Sequence, residues 1–262
     1  MNHPELASLL IKTVKKAGKV IIEKYDNKDL NIKLKGDKSP VTDADIASNK
    51  VITKALSNTG IPILSEESEV QNFQIRKKWK RYWLIDPLDG TKEFINRNGD
   101  FTINIALIED NIPTLGVVSI PVSGTIYIGG KSLGYSKMFN DNEETVLKTN
   151  PKISTADILK YNSLRVVASR SHRNPKLDQF LESFNFINLR RLGSSLKFMS
   201  IVSQNADIYP RFSPCMEWDT AASDAILREL GYQIRSISES FEIGDKLAYN
   251  KKNLENPAFI AY

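Results

Sequence analysis

Apolar positions in residues 4–25 recur every three or four residues. Leu6, Leu9, Leu10, Val14, Ala17 and Ile21 fall on one face, which predicts an amphipathic helix. A polar loop follows, "GDKSPVTDAD". Thr42 or Asp43 is placed to cap a second helix carrying Ile46, Val51, Ile52, Ala55 and Leu56. The period then shortens. Segments 61–64, 81–86, 101–110, 114–121 and 124–130 are rich in β-branched and aromatic residues, as strands are. Asn111-Ile112-Pro113 reads as the turn between two of them. Residues 1–135 therefore form an α+β half: two helices, then a largely antiparallel sheet.

A polar, weakly periodic stretch contains the expected connection, residues 136–159. Beyond it the pattern alternates. Strands are expected at 164–169, 186–191, 206–211 and 232–238, and helices at 174–184, 194–204 and 217–230. Residues 160–262 thus read as an α/β half, and the chain as α/β overall.

Length and composition narrow the class. A chain of 262 residues suits one large domain or two close-packed halves. A single cysteine, Cys215, permits no internal disulfide and fits a reducing cytosol; packing is its expected role. Two histidines cannot make a histidine-rich zinc site. No run approaches the roughly 18 apolar residues of a membrane span, and the N-terminus lacks the features of a signal peptide. The net charge of +5 admits an anionic partner. Its densest basic run, "RKKWKR" at 76–81, is expected to be a solvated loop.

The chemistry concentrates where strand 81–86 ends. Asp86 closes the strand; Pro87 fixes φ and Gly90 admits backbone that other residues resist. Such a turn can aim Asp86 and Asp89 at one point, where two carboxylates repel unless a cation lies between them. Oxygen donors suit Mg²⁺ or Mn²⁺ rather than zinc, and the backbone carbonyl between the two offers another. The next residues, "GTKEF", read as a helix start whose free N–H groups suit a phosphate. Glu66 and Glu67 end another strand, and only one of two adjacent side chains can face a site. Glu217 and Asp219 open a late helix ahead of small residues that allow close packing. Singly, these motifs read as a turn, a solvated loop and a helix cap. Together they point to a metal.

Glu66-Glu67, "DPLDGTKEF", the distant "WDTAA" and the upstream "SPVTDAD" resemble the inositol monophosphatase superfamily of Mg²⁺-dependent, lithium-sensitive phosphatases. "SRSH", "GSSLKF" and "YPRF" are similar to its CysQ-type 3'(2'),5'-bisphosphate nucleotidase branch. Lys92-Glu93 points the same way, because inositol monophosphatases tend to carry Thr-Asn there. The resemblance implies a layered αβαβα fold. It implies two or three Mg²⁺ ions (Mn²⁺ as a substitute) held by Glu66, Asp86, the Leu88 carbonyl, Asp89 and Asp219, with Glu67 further out. Gly90 and Thr91 would cradle the phosphate. Asp45, Thr91 and Glu66 would handle the attacking water. Substrate contacts would come from Glu66, Leu88, Asp89, Gly90, Thr91 and Asp219, joined by His172, Ser194, Lys197 and Arg211 on the nucleotide side. Lys197 as an exposed helix lysine and Arg211 as a surface strand end are the alternatives.

The implied activity removes the 3'-phosphate of adenosine 3',5'-bisphosphate to give AMP, and converts 3'-phosphoadenylyl sulfate to adenylyl sulfate, as sulfate assimilation requires. A phosphatase of inositol or sugar phosphates is the nearest rival. A non-catalytic anion or nucleic-acid binder is a third reading, and the carboxylate cluster argues against it. The partner is then a small phosphorylated nucleotide and not nucleic acid. The expected location is the cytoplasm, with the first helix and the basic run permitting peripheral contact with the membrane's cytoplasmic face.

Overall fold

The computed structural model describes residues 1–27, 32–34, 36, 40–140, 143–148, 163–171, 174–184 and 186–262. Helix α1 (His3–Asp26) starts on a capping box in which Asn2 and Glu5 serve each other's backbone. A short pair, β1 (Ile32–Leu34) and β2 (Pro40–Thr42), leads into α2 (Asp43–Ser57), capped by Thr42, one of the two residues expected there. Then come β3 (Ile63–Ser65), α3 (Phe73–Arg76), β4 (Arg81–Asp89) and α4 (Thr91–Ile95). A meander follows: β5 (Thr102–Glu109), β6 (Ile112–Ile120), β7 (Thr125–Gly130), β8 (Tyr135–Asn140) and β9 (Glu143–Val146). The second half runs β10 (Ser163–Ser169), α5 (Pro175–Leu181), β11 (Phe186–Leu192), α6 (Leu196–Val202), β12 (Tyr209–Arg211), β13 (Cys215–Met216) and α7 (Glu217–Glu229). It ends with β14 (Ile234–Ile237), β15 (Ile243–Lys246), β16 (Glu255–Asn256) and β17 (Phe259–Ala261).

Strands β3 to β9 form one seven-stranded sheet in sequence order, antiparallel except for β3 beside β4. Alternation along its strands sorts the core. Trp83, Ile85, Ile103, Ile105 and Val117 pack under α1 and α2; Tyr82, Leu84, Ala106, Ile108 and Val118 pack under α6 and α7. A second sheet, β12-β17-β14-β15, lies beyond α7. Phe259 and Ala261 face the α7 side, while Ile260 and Tyr262 face α5 and β10. The layers therefore run αβαβα. Helix α7 sits close because a Cβ on Gly116 would fall 2.1 Å from the Ala222 carbonyl oxygen. No helix among the described residues is long and apolar enough to cross a membrane.

Several elements differ from the sequence expectation. The β5–β6 turn is Asp110-Asn111, both at positive φ (48° and 62°), as a two-residue hairpin demands. Ile112 and Pro113 already belong to β6, and Pro113 is tolerated because the register slips there. Strand β4 does not stop at Asp86: it breaks at Pro87-Leu88 and resumes with Asp89 opposite Thr102. Within the expected connection, β8 and β9 extend the sheet, Lys137 pairing with Glu144 at 2.6 Å; residues 149–162 lie outside the described residues. Ile46 is exposed. Among the described residues of the second half, only β10 and β11 run parallel as strands, and the second sheet is antiparallel. The basic run is not simply solvated. Arg76 is buried, donating to Asn250 Oδ1 and the Lys252 carbonyl (both 2.9 Å), and Arg81 pairs with Glu109 at 2.9 Å. Lys77, Lys78 and Lys80 are exposed.

Candidate active site

The parallel pairing of β3 with β4 sets Glu66 beside Asp86: the Glu66 N–H donates to the Ile85 carbonyl at 3.1 Å. Where β4 breaks, Asp86 Oδ1 accepts the Leu88 N–H (3.0 Å) and the Pro87 carbonyl accepts Ser48 Oγ (2.7 Å). The turn is thus tied to α2. Gly90 follows at φ 95°, and a Cβ there would lie 3.0 Å from the Asp100 carbonyl oxygen. Asp45, one turn into α2, closes that helix's capping box: its Oδ2 accepts the Thr42 N–H and Oγ at 2.8 and 2.6 Å. Its Oδ1 accepts the Thr91 hydroxyl at 3.0 Å. Burial raises its pKa.

Asp219 enters from the second half. It is the third residue of α7 and accepts the Met216 N–H at 3.0 Å, so the helix cap aims it. Carboxylate oxygens of Asp86, Asp89 and Asp219 lie within 4.8 Å of one another. Burial, then the charges of Glu66 and Asp89, push Asp86 well up; burial and Asp89 raise Asp219 to about 6. Three carboxylates on one point, with a fourth close by, are an all-oxygen donor set short of positive charge. That chemistry fits a hard divalent cation such as Mg²⁺. Pro40, Glu66, Leu88, Gly90, Thr91, Ser194, Lys197 and Arg211 line the same cleft.

Lys197 is not an exposed helix lysine: only 2% of it reaches solvent. Its ammonium donates to the Ser194 carbonyl at 2.7 Å and lies 5.3 Å from the centre of the Tyr209 ring. Burial and then the Arg211 charge bring its pKa down to about 8. Nor is Arg211 a bare strand end. It donates to the Ser213 and Pro214 carbonyls and to the Tyr209 hydroxyl (3.2, 2.9 and 3.2 Å) while keeping a face on the cleft. His172 lies outside the described residues. Glu67 lies in the β3–α3 loop, off the cleft-lining set. Cys215 is buried, its thiol pushed up to about 12 by burial, which fits packing.

Sequence reasoning named Ser194 only as a nucleotide contact and missed the other residues that brace these groups. Asp89 Oδ2 accepts from Ser194 Oγ (2.6 Å), Ser195 Oγ (3.2 Å) and Asn104 Nδ2 (3.4 Å). Glu93 is buried and accepts a hydrogen bond from Ser171, 78 residues further along the chain. Polar Thr102 and Asn104 alternating with Ile103 and Ile105 was a readable signal for one polar face of β5. Nothing in the sequence pairs that face with Ser194.

A family model described as the inositol monophosphatase family matches residues 2–259. The 3'(2'),5'-bisphosphate nucleotidase CysQ of Escherichia coli (strain K12) is 38% identical over 247 residues, 93% of this chain and 94% of that one. The protein of that name from Buchnera aphidicola is 41% identical over 225 residues, 84% of this chain and 80% of that one. The crystal structure of CysQ from Bacteroides thetaiotaomicron superposes with a TM-score of 0.80 at 33% identity, covering 98% of this chain and 96% of that one. SuhB from Bartonella henselae, 21% identical with a TM-score of 0.74, shares the fold. The order of the acidic motifs, the layered fold and a match along nearly the whole length agree: the chain belongs to the inositol monophosphatase family.

Proposed function

We propose that this protein is a Mg²⁺-dependent phosphatase that removes the 3'-phosphate of adenosine 3',5'-bisphosphate, leaving AMP. One observation carries the choice of a doubly phosphorylated substrate. The cleft holds an anionic end, with Glu66, Asp86, Asp89 and Asp219, and a cationic end, with Lys197 and Arg211 close enough to repel each other. Two like charges side by side, Lys197 buried and Arg211 half-buried, favour an anion between them. One end takes the phosphate to be cleaved with its metal, and the other takes a second phosphate. The nucleotidase relatives act on substrates of that kind by name.

Glu66, Asp86, the Leu88 carbonyl, Asp89 and Asp219 would hold two or three Mg²⁺ ions, with Mn²⁺ able to substitute. Bound there, the metal supplies Lewis acidity, charge neutralisation and a water of lowered pKa. The protein's own part is orientation. Asp45 is locked by Thr42 and takes the Thr91 hydroxyl proton into a hydrogen bond, so Thr91 Oγ turns its lone pairs towards the cleft. A water donating to that oxygen points its own lone pair at phosphorus. The Gly90 turn brings backbone N–H groups to the phosphate oxygens. Lys197 and Arg211 bind the part of the substrate that does not react. We place this activity in the cytoplasm.

The test is phosphate release from adenosine 3',5'-bisphosphate, 3'-phosphoadenylyl sulfate, 3'-AMP and inositol 1-phosphate, each with Mg²⁺ and with chelator. Preference for the 3',5'-bisphosphate that vanishes with chelator is expected. A preference for inositol 1-phosphate would sink the nucleotide assignment, and chelator-resistant turnover would sink the metal.

A further inference from the structure

Residues 193–197 run between the two halves and touch both. The Gly193 N–H donates to Asp100 Oδ2 at 2.8 Å, which fixes the segment to the start of β5. Ser194 then adopts φ 49°, left-handed backbone that a serine occupies at a cost and a glycine does not. That turn places two consecutive hydroxyls on one carboxylate oxygen: Ser194 Oγ at 2.6 Å and Ser195 Oγ at 3.2 Å from Asp89 Oδ2. Ser195 Oγ is equally 3.2 Å from the Asp219 carbonyl oxygen, so its single hydrogen is shared between the two acceptors.

Proton counting orders the group. A hydroxyl has one hydrogen. If Ser194 gives its own to Asp89, the 2.6 Å contact between Ser194 Oγ and Thr102 Oγ1 must be donated by Thr102, in preference to its longer 3.3 Å contact with Asn104 Oδ1. A chain then runs from Thr102 through Ser194 to Asp89, each link strengthened by the next and ending on a charge. With Asn104 Nδ2 at 3.4 Å on the same oxygen, Oδ2 is committed to the protein. That leaves Oδ1 for the cation. Without these donors the carboxylate would be free to rotate.

We propose that Ser194 and Ser195 are positioning residues for the metal site: they hold Asp89 in a one-oxygen mode and tie it to Asp219 across the joint between the halves. This rests on Asp89 being a metal ligand. It differs from the nucleotide contact expected of Ser194, because the side chain acts on the metal side of the cleft, with no substrate required.

Titration calorimetry of Mg²⁺ into metal-free protein tests it directly. Ser194→Gly suits the test, because it removes the hydroxyl and suits the backbone. The double variant Ser194→Gly/Ser195→Ala is expected to weaken Mg²⁺ binding by about tenfold to a hundredfold, the usual cost of losing an outer partner of a metal ligand. Its metal-free melting temperature should hold. Ser195→Thr, which keeps the hydroxyl, should stay near wild type. In turnover, the Mg²⁺ concentration giving half-maximal rate should rise with the calorimetric Kd. Unchanged Mg²⁺ affinity in the double variant, or a weakening matched by collapse of the metal-free fold, would overturn the proposal. A raised KM for nucleotide with unchanged Mg²⁺ affinity would also overturn it and return Ser194 to the substrate. Absence of Mg²⁺ binding by the wild type would instead overturn the metal reading beneath it.

Discussion

Two acids sit two residues apart at the start of α7, and the fold treats them in opposite ways. Glu217 is fully buried, yet every neighbour serves it: its carboxylate accepts the Asn250 N–H (2.7 Å), the Lys251 N–H (3.0 Å) and the Lys251 ammonium (2.7 Å). Asp219 has one backbone donor from its cap and faces Asp89 and Asp86. A buried carboxylate that finds cations and N–H groups inside the protein is a fastener, here for the segment before β16. One that finds other carboxylates is incomplete and awaits something from outside. Burial alone raises the pKa of both and does not separate the two roles. The leading charge does: for Glu217 it is the Lys251 ammonium, and for Asp219 it is the Asp89 carboxylate, ahead of the opposing Arg211 and Lys197.

The comparison breaks most visibly at Asp89. Asp89→Asn keeps the shape and removes one charge from the cluster. Turnover at saturating Mg²⁺ is expected to fall by more than the roughly 10- to 100-fold that an outer-sphere change costs, while metal-free stability holds or rises as repulsion is relieved. Steady-state kinetics with chelator-treated thermal melts checks both, and more than a tenth of normal kcat would refute the ligand role.

Glu217→Ala should do the reverse. Two backbone donors lose their partner, at about 1–3 kcal/mol for each buried group; Lys251 is partly exposed and can turn to water, which limits the total. Urea unfolding should show a loss of about 2–4 kcal/mol, with kcat at saturating Mg²⁺ little changed. A collapse of kcat in a folded variant would put Glu217 in the chemistry.

Lys197→Ala probes the cationic end. KM for adenosine 3',5'-bisphosphate should rise by roughly tenfold to a hundredfold, about 1.5–3 kcal/mol for a hydrogen bond to a charged group, with kcat little changed. 3'-AMP, which lacks the 5'-phosphate, should barely respond. Because the amine also holds the Ser194 carbonyl, equal losses on both substrates would make it a structural cation.

The smallest effect is in pH. Asp219 in the metal-free protein has its pKa raised from an ordinary 3.8 to about 6. Between those values the folded state binds more protons than the unfolded one, so stability must fall as pH rises. Denaturant titrations in chelator at pH 4 to 7 should show that decline, and saturating Mg²⁺ should flatten it. A metal-free protein that gains stability over this range would contradict the cluster's electrostatics.

Much of this was legible before folding, because local rules determine it. Helical spacing located α1 and α2, and Thr42 announced its cap three residues before Asp45. The Asp86-Pro87-Leu88-Asp89-Gly90 turn carries its geometry in its own residue types, so its chemistry could be read from the chain. Strands β8 and β9 were not legible, since a polar, edge-ward ribbon draws its pairing from the neighbouring strand rather than from an apolar period. Arg76 looked like one of six solvated residues until Asn250, far along the chain, closed over it. Likewise nothing in "GSSLKF" says that two serines reach Asp89, or that its lysine is buried beside Arg211. Which acids, hydroxyls and cations meet depends on how the first sheet, α7 and the 193–197 segment pack, and contacts between residues distant in sequence leave no periodicity to read.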